Sequence, residues 1–159
     1  MATYYWVGGA GNWNATTTTN WATSSGGAGG AGVPTSADDV IFDSASNATA
    51  YAITVGLNAN AANVTIAGPA SGSVTITSSS VSVINCYGSW SNAATGVAFT
   101  SVSGSLLNFL ATSTGKTIST NSVALSVLGI VFNSATGGWT LSTGLSTSGP
   151  VTVTSTASA

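Results

Sequence analysis

Apolar residues in this chain recur at every second position, in short runs. Tyr51-Ile53-Val55-Leu57, Val64-Ile66, Val74-Ile76, Val97-Phe99, Val123-Leu125-Val127, Ile130-Phe132, Trp139-Leu141 and Val151-Val153 follow this rule, mostly with Ala, Ser or Thr between. Alternation at period two places successive side chains on opposite faces of a strand, so each run predicts a strand with one buried face. Ser, Gly, Asn and Thr break the runs roughly every ten residues, the punctuation of tight turns. Helix formers are scarce: Glu, Gln and Arg are missing and there is a single Lys. An all-β fold is expected.

The runs carry a longer rhythm. Val64-x-Ile66, Val97-x-Phe99 and Ile130-x-Phe132 recur at about 33 residues, and Gly104-Ser105-Leu106 aligns with Gly137-Gly138-Trp139 at the same offset. Cys86, Ile118 and Val151 then fall into one column. Three short strands per repeat suit a three-faced β-solenoid, a short β-helix-like stack whose coils bury a continuous aliphatic ladder. A β-sandwich, which also spaces its strands this way, is the second choice.

The first fifty residues read differently. They hold Trp6, Trp13 and Trp21, a glycine-rich run from Gly26 to Gly32, and all three acidic residues. The expected division is an N-terminal cap or attachment segment over 1–50 and a β-repeat body over 51–159. A solenoid end exposes backbone that invites pairing, which a cap would cover at one end. The strand-like Thr152-Val153-Thr154-Ser155-Thr156 run carries no cap and is expected to meet another chain.

Composition narrows the function. Charged residues are 3% of the chain, namely Asp38, Asp39, Asp43 and Lys116, and roughly a third of the residues are Ser or Thr. Solvated faces must therefore be coated by hydroxyls. The net charge of −2 and the lack of a basic cluster remove the electrostatic basis of nucleic-acid binding. No run of about 18 apolar residues marks a membrane-spanning helix. The start, Met1-Ala2-Thr3-Tyr4-Tyr5-Trp6, has neither the positive charge nor the apolar run of a secretory signal. Cys86 is the lone cysteine, expected to be a small buried hydrophobe.

Candidate chemistry is thin. With no histidine, Ser-His-Asp and Cys-His arrangements are excluded, and a Ser-Lys dyad would have to use Lys116 with Ser113 or Ser119. Asp38, Asp39 and Asp43 lie too close in sequence for facing hydrolytic carboxylates. They could hold Ca²⁺ with Asn47, but Asp38-Asp39 before Val40-Ile41-Phe42 reads better as a turn entering a strand. Gly27-x-Gly29-x-x-Gly32 matches a dinucleotide fingerprint, yet Val33-Pro34 follows where a helix is required. Catalysis and cofactors are not expected. Trp6, Trp13 and Trp21 remain as an interaction candidate: they form either a platform on which sugars stack or a small core of their own.

The run Tyr5-Trp6-Val7-Gly8-Gly9-Ala10-Gly11-Asn12-Trp13-Asn14, then Thr19-Asn20-Trp21, then Gly26-Gly27-Ala28-Gly29-Gly30-Ala31, then Val33-Pro34-Thr35-Ser36-Ala37-Asp38-Asp39-Val40-Ile41-Phe42-Asp43, resembles the opening of a family of phage virion appendage proteins (fibres, spikes, capsid decorations), with similar segments in bacterial surface proteins. Gly138-Trp139-Thr140-Leu141 is similar to its repeat units. The resemblance implies a β-rich solenoid, commonly a homotrimer, with no catalytic residues. It implies a place on the virion surface, with the capsid or other virion proteins as partners and host-surface glycans as a contact. The alternative is a bacterial extracellular adhesin or carbohydrate-binding surface module.

Overall fold

A computed structural model of the chain describes residues 1–69, 71–94, 96–126 and 128–154. It holds sixteen strands and, among the described residues, no helix. In chain order they are β1 Thr3–Trp6, β2 Gly11–Trp13, β3 Trp21–Ala22, β4 Asp39–Phe42, β5 Tyr51–Val55, β6 Ala59–Ala61, β7 Val64–Ile66, β8 Val74–Thr77, β9 Val83–Cys86, β10 Trp90–Asn92, β11 Val97–Thr100, β12 Ser105–Phe109, β13 Lys116–Ser119, β14 Leu128–Asn133, β15 Trp139–Leu141 and β16 Val151–Thr154. They sort into three sheets, β15-β13-β10-β7-β4-β1-β3, β11-β8-β5-β2 and β16-β14-β12-β9-β6. Apart from the antiparallel β1–β3 pair, every strand pairing is parallel. The chain winds as a three-faced β-solenoid of about five turns.

The alternation read from the sequence is what closes each coil. In β5, Tyr51, Ile53 and Val55 point inward while Ala52 and Thr54 meet solvent, and β12 repeats the pattern with Ser105, Leu107 and Phe109. Parallel pairing in register then stacks like on like. Ile53, Ile76 and Phe99 form one inward column; Ala61, Cys86, Phe109, Phe132 and Val153 form another. Adjacent strands sit about 4.8 Å apart, so each inward side chain rests directly on the one below. Phe109 and Phe132 stack with ring centroids 5.2 Å apart.

The turn length differs from the expected 33 residues. From β4 onward, paired residues are separated by 21 to 28 positions. Val64, Val97 and Ile130, aligned in sequence, lie in β7, β11 and β14, on three different faces. An offset of 33 is therefore one turn plus one face, and inward valines and isoleucines match there just as they do after one turn. The column drawn through Cys86, Ile118 and Val151 fails for the same reason, since β13 belongs to a different sheet from β9 and β16. Leu125 makes only an isolated bridge to Thr147, and Val127 lies outside the described residues.

The first fifty residues both extend and cover the stack. β1, β2 and β4 are rungs of the same sheets as the body, pairing onward to β4, β5 and β7. Between β2 and β4 the chain leaves the coil and returns antiparallel as β3 along the outer edge of β1, Trp6 against Trp21. Trp6, Trp13 and Trp21 fill the end of the core around Phe42, with ring centroids 4.9 to 6.0 Å apart.

Polar residues inside the coil are paired. Ser105 accepts from the Ser82 backbone N–H at 3.2 Å and lies 3.3 Å from the hydroxyls of Ser78 and Ser82, so a hydroxyl cluster fills one corner. On the outside of the third sheet, Asn108 donates to Asn85 at 3.0 Å and Asn85 to Asn60 at 3.1 Å, an amide ladder that fixes register. At the corner after β7, Gly68 has φ of +85° and a Cβ there would lie 2.8 Å from the Cβ of Ala94, so two coils touch where only glycine fits.

Inward and outward positions on one strand should respond very differently to truncation. Ile76→Ala is expected to lower the unfolding free energy by about 2–5 kcal/mol, and the outward Thr75→Ala by no more than about 0.5 kcal/mol, read from urea unfolding followed by circular dichroism.

Candidate functional site

The tryptophan platform is not a surface. Trp6, Trp13 and Trp21 are each 0% exposed and Trp6 Nε1 donates to the Gly9 carbonyl at 2.6 Å. None offers a ring face on which a sugar could lie, and the interaction candidate drawn from sequence is corrected to an end plug of the core. The glycine-rich run leads to β4, not to a helix, so it makes no phosphate cradle. Gly29 packs against the Thr19 carbonyl where any Cβ would collide, which places this run as close packing over the plug.

The aspartates are engaged one at a time. Asp38 accepts from the Ala2 N–H at 2.9 Å and from the Thr35 hydroxyl and N–H at 2.6 and 3.1 Å, and the Thr35 hydroxyl, with the Ala2 amide behind it, holds its carboxyl below the ordinary value. Asp39 accepts from Asn63 at 2.7 Å, and Asp43 from the Ala45 N–H at 3.0 Å. The Thr35 and Ala45 contacts close a turn at each end of β4, while those with Ala2 and Asn63 tie Asp38 and Asp39 to neighbouring coils. Among the described residues no three His, Cys, Asp or Glu gather as a metal cluster.

What the fold does present is an unequal pair of ends. Columns buried deeper in the stack surface toward the last rungs: Leu141 above the buried Ile118 is 49% exposed, and Val153, above the partly buried Phe132, is 72% exposed. All four residues of β16 are exposed. Phe132, Trp139, Leu141 and Val153 line a cavity of about 400 Å³ at this mouth. β15 and β16 each pair on one side only, so their free edges carry unpaired backbone donors and acceptors. The sequence signalled this end through Val151-x-Val153, a strand-like run with nothing after it among the described residues to pair with; Ser155 and Thr156, read as its continuation, lie outside them.

A second surface was not visible in the sequence. Tyr87 stands at the corner between β9 and β10, with 36% of its surface exposed, and is the sole aromatic among the large apolar residues that the described surface exposes. Lys116 opens β13 nearby, on the wall of the same cleft.

No protein-family model, curated protein or solved structure matches this chain.

Cys86 offers a direct probe of the packed interior. Its thiol is buried, 3.5 Å from the Ser89 carbonyl, and burial pushes its pKa up to about 11. Folded protein at pH 8 should leave a thiol reagent unreacted until urea is added. Above pH 9 the unfolded chain releases this proton while the folded chain keeps it to about 11, and burial likewise raises Tyr51 to about 12. Stability should therefore be flat from neutral pH to about 9 and fall as pH rises toward 12, with Cys86→Ala removing the earlier part of the decline in pH-dependent urea titrations.

Proposed function

We propose that this chain is a non-catalytic structural protein of a phage virion surface, a capsid decoration, spike or short fibre, and that it works as a homo-oligomer. The observation that carries the assembly part is the mouth formed by β15 and β16, where apolar columns that are buried deeper in the stack come to the surface. A chain with 3% charged residues has no charge with which to keep such a mouth apart from its like. Its end groups, Leu141, Val151 and Val153, are the kind that another copy covers. At the other end the core columns stay covered, because the buried tryptophan plug lies over them.

The virion part is supported by the resemblance of the Tyr5–Asp43 segment to the opening of phage appendage proteins, and the trimer comes from the same source. A hydroxyl-coated coil with a single lysine and three aspartates, each held by hydrogen bonds in a turn or to a neighbouring coil, suits mechanical work better than chemistry.

Light scattering on the purified chain should give a multiple of 15.4 kDa, three for the trimer. The pair Leu141→Asp and Val153→Asp should return it to a single chain with its β-type circular dichroism unchanged. A wild-type chain that stays single at every concentration refutes the assembly reading. Antibody labelling of purified phage particles tests the location: decoration of the particle surface supports it, and labelling confined to a bacterial envelope favours the adhesin.

A further inference from the structure

The corner between the third sheet and the first carries one residue per turn directly after the third-sheet strand. In successive turns these are Ala62, Tyr87 and Leu110, in register because Ala61, Cys86 and Phe109 pair. The Tyr87 N–H donates to the Ala61 carbonyl at 2.9 Å and the Leu110 N–H to the Cys86 carbonyl at 2.8 Å, so the backbone beneath the ring is held as firmly as a rung. Gly88 follows, and a Cβ there would run into the Ala62 carbonyl at 2.7 Å. The chain hugs the coil below, and with only Ala62 beneath it the phenol ring projects.

Clefts of about 400 Å³ lie on either side of this ring, within the size range of small-ligand sites. They share Tyr87 and Ser36, so the ring divides one groove into two chambers. Pro34, Thr35 and Asn60 line one chamber; Asn63, Thr112 and Lys116 line the other. The segment after the glycine-rich run, tied down by Asp38, forms a wall common to both.

The chemistry of this groove is selective. An exposed aromatic ring offers a flat apolar face, which matches the C–H face of a pyranose. Around it stand hydroxyls and one ammonium, which hydrogen-bond the equatorial rim of such a ring. Asp38 and Asp39 border the second chamber, through Ala37 and Asn63, with their oxygens already accepting from Ala2, Thr35 and Asn63. Lys116 and the Met1 amino group on its wall offset Asp38 and Asp39 at its border, so the chamber carries no net charge with which to select an ionic ligand. Space on both sides of the ring suits a sugar chain rather than a single sugar.

We propose that the groove divided by Tyr87 binds an uncharged oligosaccharide, one pyranose lying on the Tyr87 ring and neighbouring hydroxyls meeting Ser36, Thr112 and Lys116. The site lies within one chain, so it stands whether or not the virion reading holds. Nitrogen-15 NMR of the native chain, titrated with neutral gluco-, manno- and chito-oligosaccharides of three to six units, tests it. At millimolar ligand, one neutral series should shift amides at 35–37, 60–63, 86–89 and 110–117. Tyr87→Ala should weaken binding at least tenfold, Tyr87→Phe should stay within threefold, and Lys116→Gln should lose several-fold, while Val81→Ser, at an exposed corner that lines neither chamber, changes nothing. Each variant's spectrum reports its folding, and retained affinity in the Phe variant separates loss of the ring from loss of the fold. The proposal falls if no neutral series shifts these amides, or if binding survives Tyr87→Ala undiminished. Tighter binding of oligogalacturonate than of any neutral series would overturn the uncharged assignment.

Discussion

Everything in this molecule depends on in-register stacking of parallel strands. Side chains alternate in and out along a strand, so a slip of one residue between neighbouring coils would turn a core column out to water. The columns through Ile53, Ile76 and Phe99, and through Ile84, Leu107 and Ile130, survive because each coil has the same phase as the one beneath it. Variation in turn length is absorbed at the corners, where Gly68, Gly104 and Gly115 adopt φ near +80° to +90°. Corners can therefore change while the ladders stay aligned. The outer amide ladder of Asn60, Asn85 and Asn108 adds a register check on the solvent side, where apolar packing supplies none.

That constraint also explains how much of the fold was legible. Strands such as β5, β8 and β11 were visible because inward and outward positions differ in polarity, and a three-faced stack followed from their brevity and spacing. The turn length was misread because inward positions on all three faces are filled from one small alphabet, Val, Ile, Leu and Phe. A shift of one turn plus one face then aligns as well as a shift of one turn. The tryptophans were legible as a cluster with two readings, a platform or a small core of their own, and their complete burial selects the core. Tyr87 gave no signal at all: an aromatic next to a strand resembles a core residue, and its exposure arises from the small Ala62 one turn below and from Gly88 beside it.

A nearly uncharged chain must satisfy its polar groups locally. Ser105 pairs inside a corner with Ser78 and Ser82, and Asn92, though buried, donates to the Thr120 carbonyl one turn on. Such contacts contribute about 1 kcal/mol each, and leaving one partner unpaired costs more than the bond supplies. The exceptions are the Tyr51 hydroxyl and three indole nitrogens, those of Trp13, Trp21 and Trp90, buried without a partner. Two of the three belong to the end plug, where large apolar area and edge-on ring contacts offset the loss.

The plug lies at the amino end, and this gives the molecule an order in time. During synthesis the residues that seal the core leave the ribosome before those that lengthen it, and each later coil meets a finished template. A solenoid whose core is sealed first can grow by single-turn addition with its apolar interior open at one end only. In evolution the same arrangement lets turns be inserted or deleted downstream of β4 while the nucleus that starts the winding is left untouched.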